Sequence, residues 1–153
     1  KYHLMKAVIQ RVTYSNLSID NKIYSQINSG LVVLLGIAHD DDDNDIQWLA
    51  KKIVNLRIFN DDKNIMNKSL IDVSGELMIV SQFTLHAQTK KGNRPSYIDA
   101  ANGDIAEKIY KSFILEIENK YNLKPKTGKF GADMKVKLEN DGPVTIIIDT
   151  KNK

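Results

Sequence analysis

The segment Ser81-Gln82-Phe83-Thr84-Leu85-His86 puts two hydroxyls, an amide and an imidazole at the end of an apolar run. That is the composition of a pocket wall. On an extended strand Gln82, Thr84 and His86 share one face, so a hydroxyl and base pair between Thr84 and His86 is one reading of the chemistry. The other is that Ser81 and Thr84 satisfy local main-chain groups while His86 faces water. Asn140-Asp141-Gly142-Pro143-Val144-Thr145 is turn chemistry and reads, from residue types alone, as a plain hairpin. In Gly128-Lys129-Phe130-Gly131-Ala132-Asp133-Met134 two glycines flank an aromatic, which lets the main chain approach closely and Phe130 present its face to a base. Core packing accounts for a lone phenylalanine equally well. Lys90-Lys91-Gly92-Asn93-Arg94-Pro95 is a flexible basic segment suited to phosphate, with a solvated loop as its plainer reading.

Much other chemistry is excluded. The chain has no cysteine, so disulfides, thiolate metal sites and cysteine nucleophiles are impossible. His3, His39 and His86 have no mutual spacing that makes a metal site, and neither a metal nor a cofactor is expected. The run Asp40-Asp41-Asp42-Asp43-Asn44-Asp45 invites a cation, but Ile46, Leu49, Ile53 and Leu56 follow at helical spacing. The acids therefore read as the cap of a helix N-terminus. No phosphate-binding glycine loop, dinucleotide fingerprint or serine-hydrolase elbow occurs. The net charge of +3 permits contact with a polyanion but does not mark one, so a nucleic-acid partner must be held by a shaped site. No apolar run approaches the roughly 18 residues that span a bilayer. Neither a membrane segment nor a secretory leader is expected, and a cytoplasmic location fits the lack of cysteine.

The elements that must position these residues follow from periodicity. With 153 residues there is room for one domain with a full core. Met5 to Val12 reads as a strand, and Leu17 to Ile19 and Ile23 to Ile27 as a hairpin around Asp20-Asn21-Lys22. Leu31 to Ile37 is a continuous apolar run that suits a strand buried on both faces. Strand character resumes from Gly75 to Leu85, after a polar loop over Asn60 to Asp72. A second helix follows the basic loop, with Ile105, Ile109, Phe113, Ile117 and Tyr121 as a stripe of spacing four. Strands at Met134 to Leu138 and Val144 to Ile148 close the chain. This order predicts a mixed α/β (α+β) single domain, with largely antiparallel, barrel-like strands and flanking helices.

Taken together, the segments resemble one family, the bacterial-type D-aminoacyl-tRNA deacylases, also called D-tyrosyl-tRNA deacylases. The likeness runs from Met5 through nearly the whole chain. It is carried by Val8-Ile9-Gln10-Arg11-Val12, Ser81 to Thr84, Lys91-Gly92-Asn93-Arg94-Pro95-Ser96, Gly128 to Gly131 and Asn140 to Thr145, in family order and at matching separations. The deacylase domain is then expected over residues 5–150, with residues 1–4 as an extension.

What the resemblance implies is hydrolysis of the ester that joins a D-amino acid, or glycine, to tRNA. It implies a homodimer in which Gly142-Pro143, joined by a cis peptide and fixed by Arg11, enters the partner's pocket and rejects an L side chain. Ser81, Gln82, Phe83 and Thr84 would lie along the scissile ester, with main-chain N–H groups near Phe83 as oxyanion donors. Phe130 and Met134 would surround the terminal adenine. The 2′-hydroxyl of the terminal ribose would assist, and Lys90, Lys91 and Arg94 would meet tRNA phosphates. Three alternatives remain at this point: Thr84 as a covalent nucleophile, a non-catalytic RNA-binding module, and a structural dimer without a ligand.

Overall fold

The computed structural model describes residues 4–153. His3 and the first three positions of the expected extension lie outside the described residues, while Leu4 is buried. Eight strands and two helices are described: β1 (Lys6–Ile19), β2 (Lys22–Ile27), β3 (Gly30–Gly36), α1 (Asp43–Asn55), β4 (Phe59–Asn60), β5 (Met66–Lys68), β6 (Glu76–Ser81), α2 (Gly103–Tyr121), β7 (Lys126–Thr127) and β8 (Lys135–Asp149). β1 is the spine. One of its edges pairs antiparallel with β3 and then β2, and β8 pairs antiparallel with it along nearly its whole length. β3 pairs parallel with β6 and β6 parallel with β7. Each parallel pair is reached through a helix, α1 or α2, as crossover connections require. The Ser25 hydroxyl donates to the Thr127 carbonyl at 2.9 Å and ties β2 to β7, so the sheet is almost a closed barrel.

Two cores result. Ala7, Ile9, Leu31, Val33, Leu35, Leu77 and Ile79 face the helices, and Val12, Leu17, Ile27, Val32, Met78 and Val80 lie inside the curled sheet. A slip of pairing in β1 between Gln10 and Tyr14 explains how one strand serves both. Odd-numbered Ala7 and Ile9 face the helices, whereas after the slip Leu17 faces the interior. A one-residue shift moves every following side chain to the other face. β3 is buried on both faces, as its unbroken apolar run predicts.

The acidic run caps α1 as expected. Asp42 accepts from the Asp45 N–H and Asp45 accepts from the Asp42 N–H, at 3.1 and 3.0 Å. The stripe on α2 needs correction. Steps of four residues advance 40° beyond a full turn, so Ile105 to Tyr121 winds round the helix. The buried face is Ala106, Tyr110, Phe113 and Ile117, and Ile105 is exposed. The loop over 60–72 also holds a short hairpin, β4 with β5.

Candidate active site

β6 ends at Ser81, where the sequence pattern predicts more strand. The Gln82 N–H still donates to the Leu35 carbonyl at 2.8 Å, but Phe83–His86 turn into a single 3-10 coil. This overturns the shared extended face of Gln82, Thr84 and His86. The tight coil leaves its first donors unused: among the described residues neither the Phe83 nor the Thr84 main-chain N–H makes a hydrogen bond. The Gln82 amide donates to the Thr84 hydroxyl. His86 is 3% exposed, so it does not face water, and it does not partner Thr84 either. Its ring sits against β3 with a hydrogen bond to the Gly36 main chain, and its Nε2 has no partner among the described residues. Burial pushes the imidazole below its ordinary value, against the opposing pull of the Gly36 bond, so the ring is neutral at pH 7.

A cavity of about 520 Å³ opens beside this coil, lined by Ser81, Gln82, Phe83, Phe130 and Met134 among others. Two segments far apart in sequence thus meet in one wall. A Cβ at Gly128 would stand 2.3 Å from the Met134 Sδ, so the glycine leaves room for the Met134 side chain where it now lies. Phe130 is buttressed by Tyr110, with ring centroids 6.0 Å apart. The Tyr110 hydroxyl donates to the Ile79 carbonyl at 2.5 Å, and burial pushes its phenol well above the ordinary value. Tyr110 therefore links the helix, the sheet and the pocket wall. The pattern Ala106, Tyr110, Phe113, Ile117 carries that signal in the sequence, and the spacing-of-four stripe missed it. The wall is completed by Gly103, in the first turn of α2, whose cap is Asn102 accepting from the Ile105 N–H at 3.1 Å.

Asn140 to Thr145 is not a hairpin. β8 continues through it against β1, and the extra residues bulge outward where the pairing shifts. The turn chemistry is spent on that bulge: the Asn140 carboxamide oxygen accepts from the Val144 N–H at 3.0 Å and its amide donates to the Thr145 hydroxyl at 2.9 Å. The Gly142–Pro143 bond is cis, and Gly142 has φ of +128°, a conformation open to glycine. Arg11, 8% exposed, donates from Nε to the Asp141 carbonyl at 3.1 Å and from a terminal nitrogen to the Ile58 carbonyl at 2.7 Å. Gly142 and Pro143 themselves are exposed. They do not line the cavity of their own chain. Val136 lines it, and Gly142 lies six residues further along β8, about 20 Å at the rise of a strand.

Lys90, Lys91 and Arg94 are exposed on the loop that follows the 3-10 coil. That loop folds back through paired main-chain bonds between Gln88 and Ser96 at 2.8 and 3.0 Å. Tyr97 then meets Phe83 edge to face, with centroids 5.0 Å apart, so the base of the loop touches the cavity wall. Among the described residues no group of three or more metal-ligating side chains forms a cluster, and no helix is long and apolar enough to cross a membrane.

The model of the family described as D-Tyr-tRNA(Tyr) deacylase matches residues 8–149. The chain belongs to that family. The D-aminoacyl-tRNA deacylase of Flavobacterium psychrophilum is 56% identical over 149 residues, covering 97% of this chain and 99% of that one. The deacylase of Fusobacterium nucleatum is 55% identical over 148 residues, with 97% of each chain covered. A solved structure titled c-Myc DNA Unwinding Element Binding Protein aligns with a TM-score of 0.89 at 40% identity, covering 95% of this chain and 98% of that one. A probable eukaryotic D-amino acid tRNA deacylase aligns at 0.82 with 16% identity over the same shares, which speaks for the fold. As in that deacylase relative, the fold is a mixed α+β single domain around a nearly closed sheet.

Proposed function

We propose that this family member hydrolyses the ester between a D-amino acid, or glycine, and the 3′-terminal adenosine of tRNA. The observation that carries the reading is the unused main-chain N–H of Phe83, a residue of the wall that also holds Phe130 and Met134, with the unused Thr84 N–H next to it in the chain. Phe130 and Met134 receive the adenine, and the ester then lies along Ser81 to Thr84. Water attacks the carbonyl carbon, and the negative charge that develops on its oxygen meets the Phe83 N–H. Such a donor contributes about 2.7–4 kcal/mol where measured. The bond to the ribose 3′-oxygen breaks, releasing free amino acid and tRNA. No strong side-chain base is required, since an ester is already activated and the neighbouring 2′-hydroxyl can position the water.

Thr84 is not the nucleophile in this scheme. Its hydroxyl accepts from Gln82, no base hydrogen-bonds to it among the described residues, and a threonine hydroxyl is weak without one.

Chirality is read by the Asp141–Pro143 element of a second copy. Gly142 lies about 20 Å along β8 from Val136 in the cavity wall and does not itself line that cavity, which favours a clamp supplied in trans. Main-chain carbonyls held by Arg11 admit hydrogen and a D side chain and clash with an L side chain. Lys90, Lys91 and Arg94 hold phosphates near the cavity, and the protein works as a cytoplasmic homodimer. The test is ester loss from matched D-, L- and glycyl-tRNA. Binding of charged tRNA with every ester intact would instead support a non-catalytic RNA-binding module, and no binding at all a purely structural dimer.

A further inference from the structure

Trp48 is the chain's single tryptophan. With Lys51, Lys52, Asn55, Leu56 and Arg57 it lines a groove of about 380 Å³ at the C-terminal end of α1. The Lys52 ammonium lies 5.4 Å from the ring centroid. Three cations and no carboxylate form the wall, and none of the three makes an ion pair among the described residues. Arg57 is held in place: its Nε donates to the Asn67 carbonyl at 2.9 Å and its terminal nitrogen bonds the Asn67 side chain. The helix end contributes about half a negative charge, which three cations outweigh. Arg57 also acts electrostatically on the Asp72 carboxylate, which leaves Lys51 and Lys52 as the groove's available cations. An indole face beside two such cations fits a nucleotide strand, with the ring stacking on a base and the cations meeting phosphates.

The groove's position says where such a strand would run. α1 starts near Ala38, on the side of the cavity, and its 13 residues carry the chain about 20 Å away. Straight after the groove come Ile58 and Asn60, whose carbonyl and side chain hold Arg11 at 2.7 and 3.5 Å. The groove is thus linked through Ile58, Asn60 and Arg11 to the Asp141–Pro143 element, and none of its lining residues lines its own chain's cavity. We infer that the Trp48–Arg57 groove binds the sugar-phosphate strand of RNA whose aminoacylated end sits in the partner's cavity. The inference rests on the deacylase reading for the identity of that RNA.

Trp48 emission reports the groove directly, so the probe is uncharged tRNA titrated into the intact protein. The double substitution Lys51→Gln, Lys52→Gln leaves Arg57 and the Arg11 anchor untouched. Saturating tRNA should change Trp48 emission in the parent. Two lost phosphate contacts should weaken affinity about 15- to 30-fold at 0.15 M salt and lower the slope of log affinity against log salt by about 1.4–1.8. The double variant should hydrolyse a D-aminoacyl ester of adenosine alone at the parent's rate while its KM for the full D-aminoacyl-tRNA rises by a similar factor. Unchanged emission, affinity and salt slope would overturn the inference. So would displacement of tRNA by polyglutamate at equal charge concentration, which would mark a general polyanion surface. Because the titration uses uncharged tRNA, a parent that hydrolyses no ester would defeat the deacylase reading while the groove measurement still stands.

Discussion

In the proposed mechanism the main chain at Phe83, and not the side chain of Thr84 or His86, meets the reacting ester. Thr84→Ala should therefore retain substantial activity, whereas tRNA ending in 2′-deoxyadenosine and charged at the 3′ position should be hydrolysed poorly. Single-turnover rates on both substrates check this, and a dead alanine variant with an unaffected deoxy substrate would restore Thr84 as nucleophile. His86 has a different role. Its folded value lies below the ordinary 6.5, so the unfolded chain binds more protons than the folded one, and acid favours unfolding. Its contribution is intact above about pH 6.5 and is lost as the pH falls below that, with a slope of at most about 1.36 kcal/mol per pH unit. His86→Phe should flatten the loss of denaturant stability below about pH 6.5 and leave turnover at about pH 7.5 largely intact. An unchanged stability profile, or a collapsed rate in a folded variant, would show the histidine acting otherwise.

At the scale of elements, the proposed function assigns phosphate contacts to the loop over residues 87–99 and chiral selection to the bulge in β8. Neutralising Lys90, Lys91 or Arg94 should weaken tRNA binding, lower the salt slope by about 0.7–0.9 per contact, and leave the preference for D over L esters unchanged. Salt-dependent binding isotherms on the triple variant measure this, and a parent-like slope would reduce the loop to solvated surface. These two elements were legible to different degrees. Lys90 to Arg94 read as an exposed loop and is one. Asn140 to Thr145 read as a hairpin because Asn, Asp, Gly and Pro serve bulges as readily as reversals. Only the pairing of Leu138 and of Ile146 with the same strand separates the two. β1 likewise read as two strands because a pairing slip resets its alternation. The end of β6 was illegible for a related reason: Ser81 to His86 keeps strand-like residue types, while the coil is set by Gln82 pairing with Leu35 and His86 packing on Gly36. Tyr110 was missed because its value lies in a contact with Phe130, twenty residues away.

At the scale of the whole molecule, Gly142 and Pro143 do not line the cavity of their own chain, and the proposed site is completed by a second copy. Gly142→Ala should disable the clamp, since a Cβ there would meet the Arg11 guanidinium at 3.1 Å and the Val144 side chain at 2.9 Å in a conformation closed to alanine. Ala132→Trp should fill the cavity, whose wall includes Ala132. The Gly142→Ala homodimer should then hydrolyse the L ester as well as the D ester, and the Ala132→Trp homodimer neither, whereas purified mixed dimers, whose one open cavity faces an intact clamp, should hydrolyse the D ester alone at about half the parental rate. Mixed dimers verified by mass spectrometry that also hydrolyse the L ester would show that the clamp acts within its own chain. The central claim is tested most directly by incubating the purified protein with one tRNA charged in turn with the D- and L-forms of the same amino acid and following intact ester over time. The account predicts rapid loss of the D ester while the L ester decays no faster than in buffer. Equal hydrolysis of both enantiomers, or of neither, would contradict it.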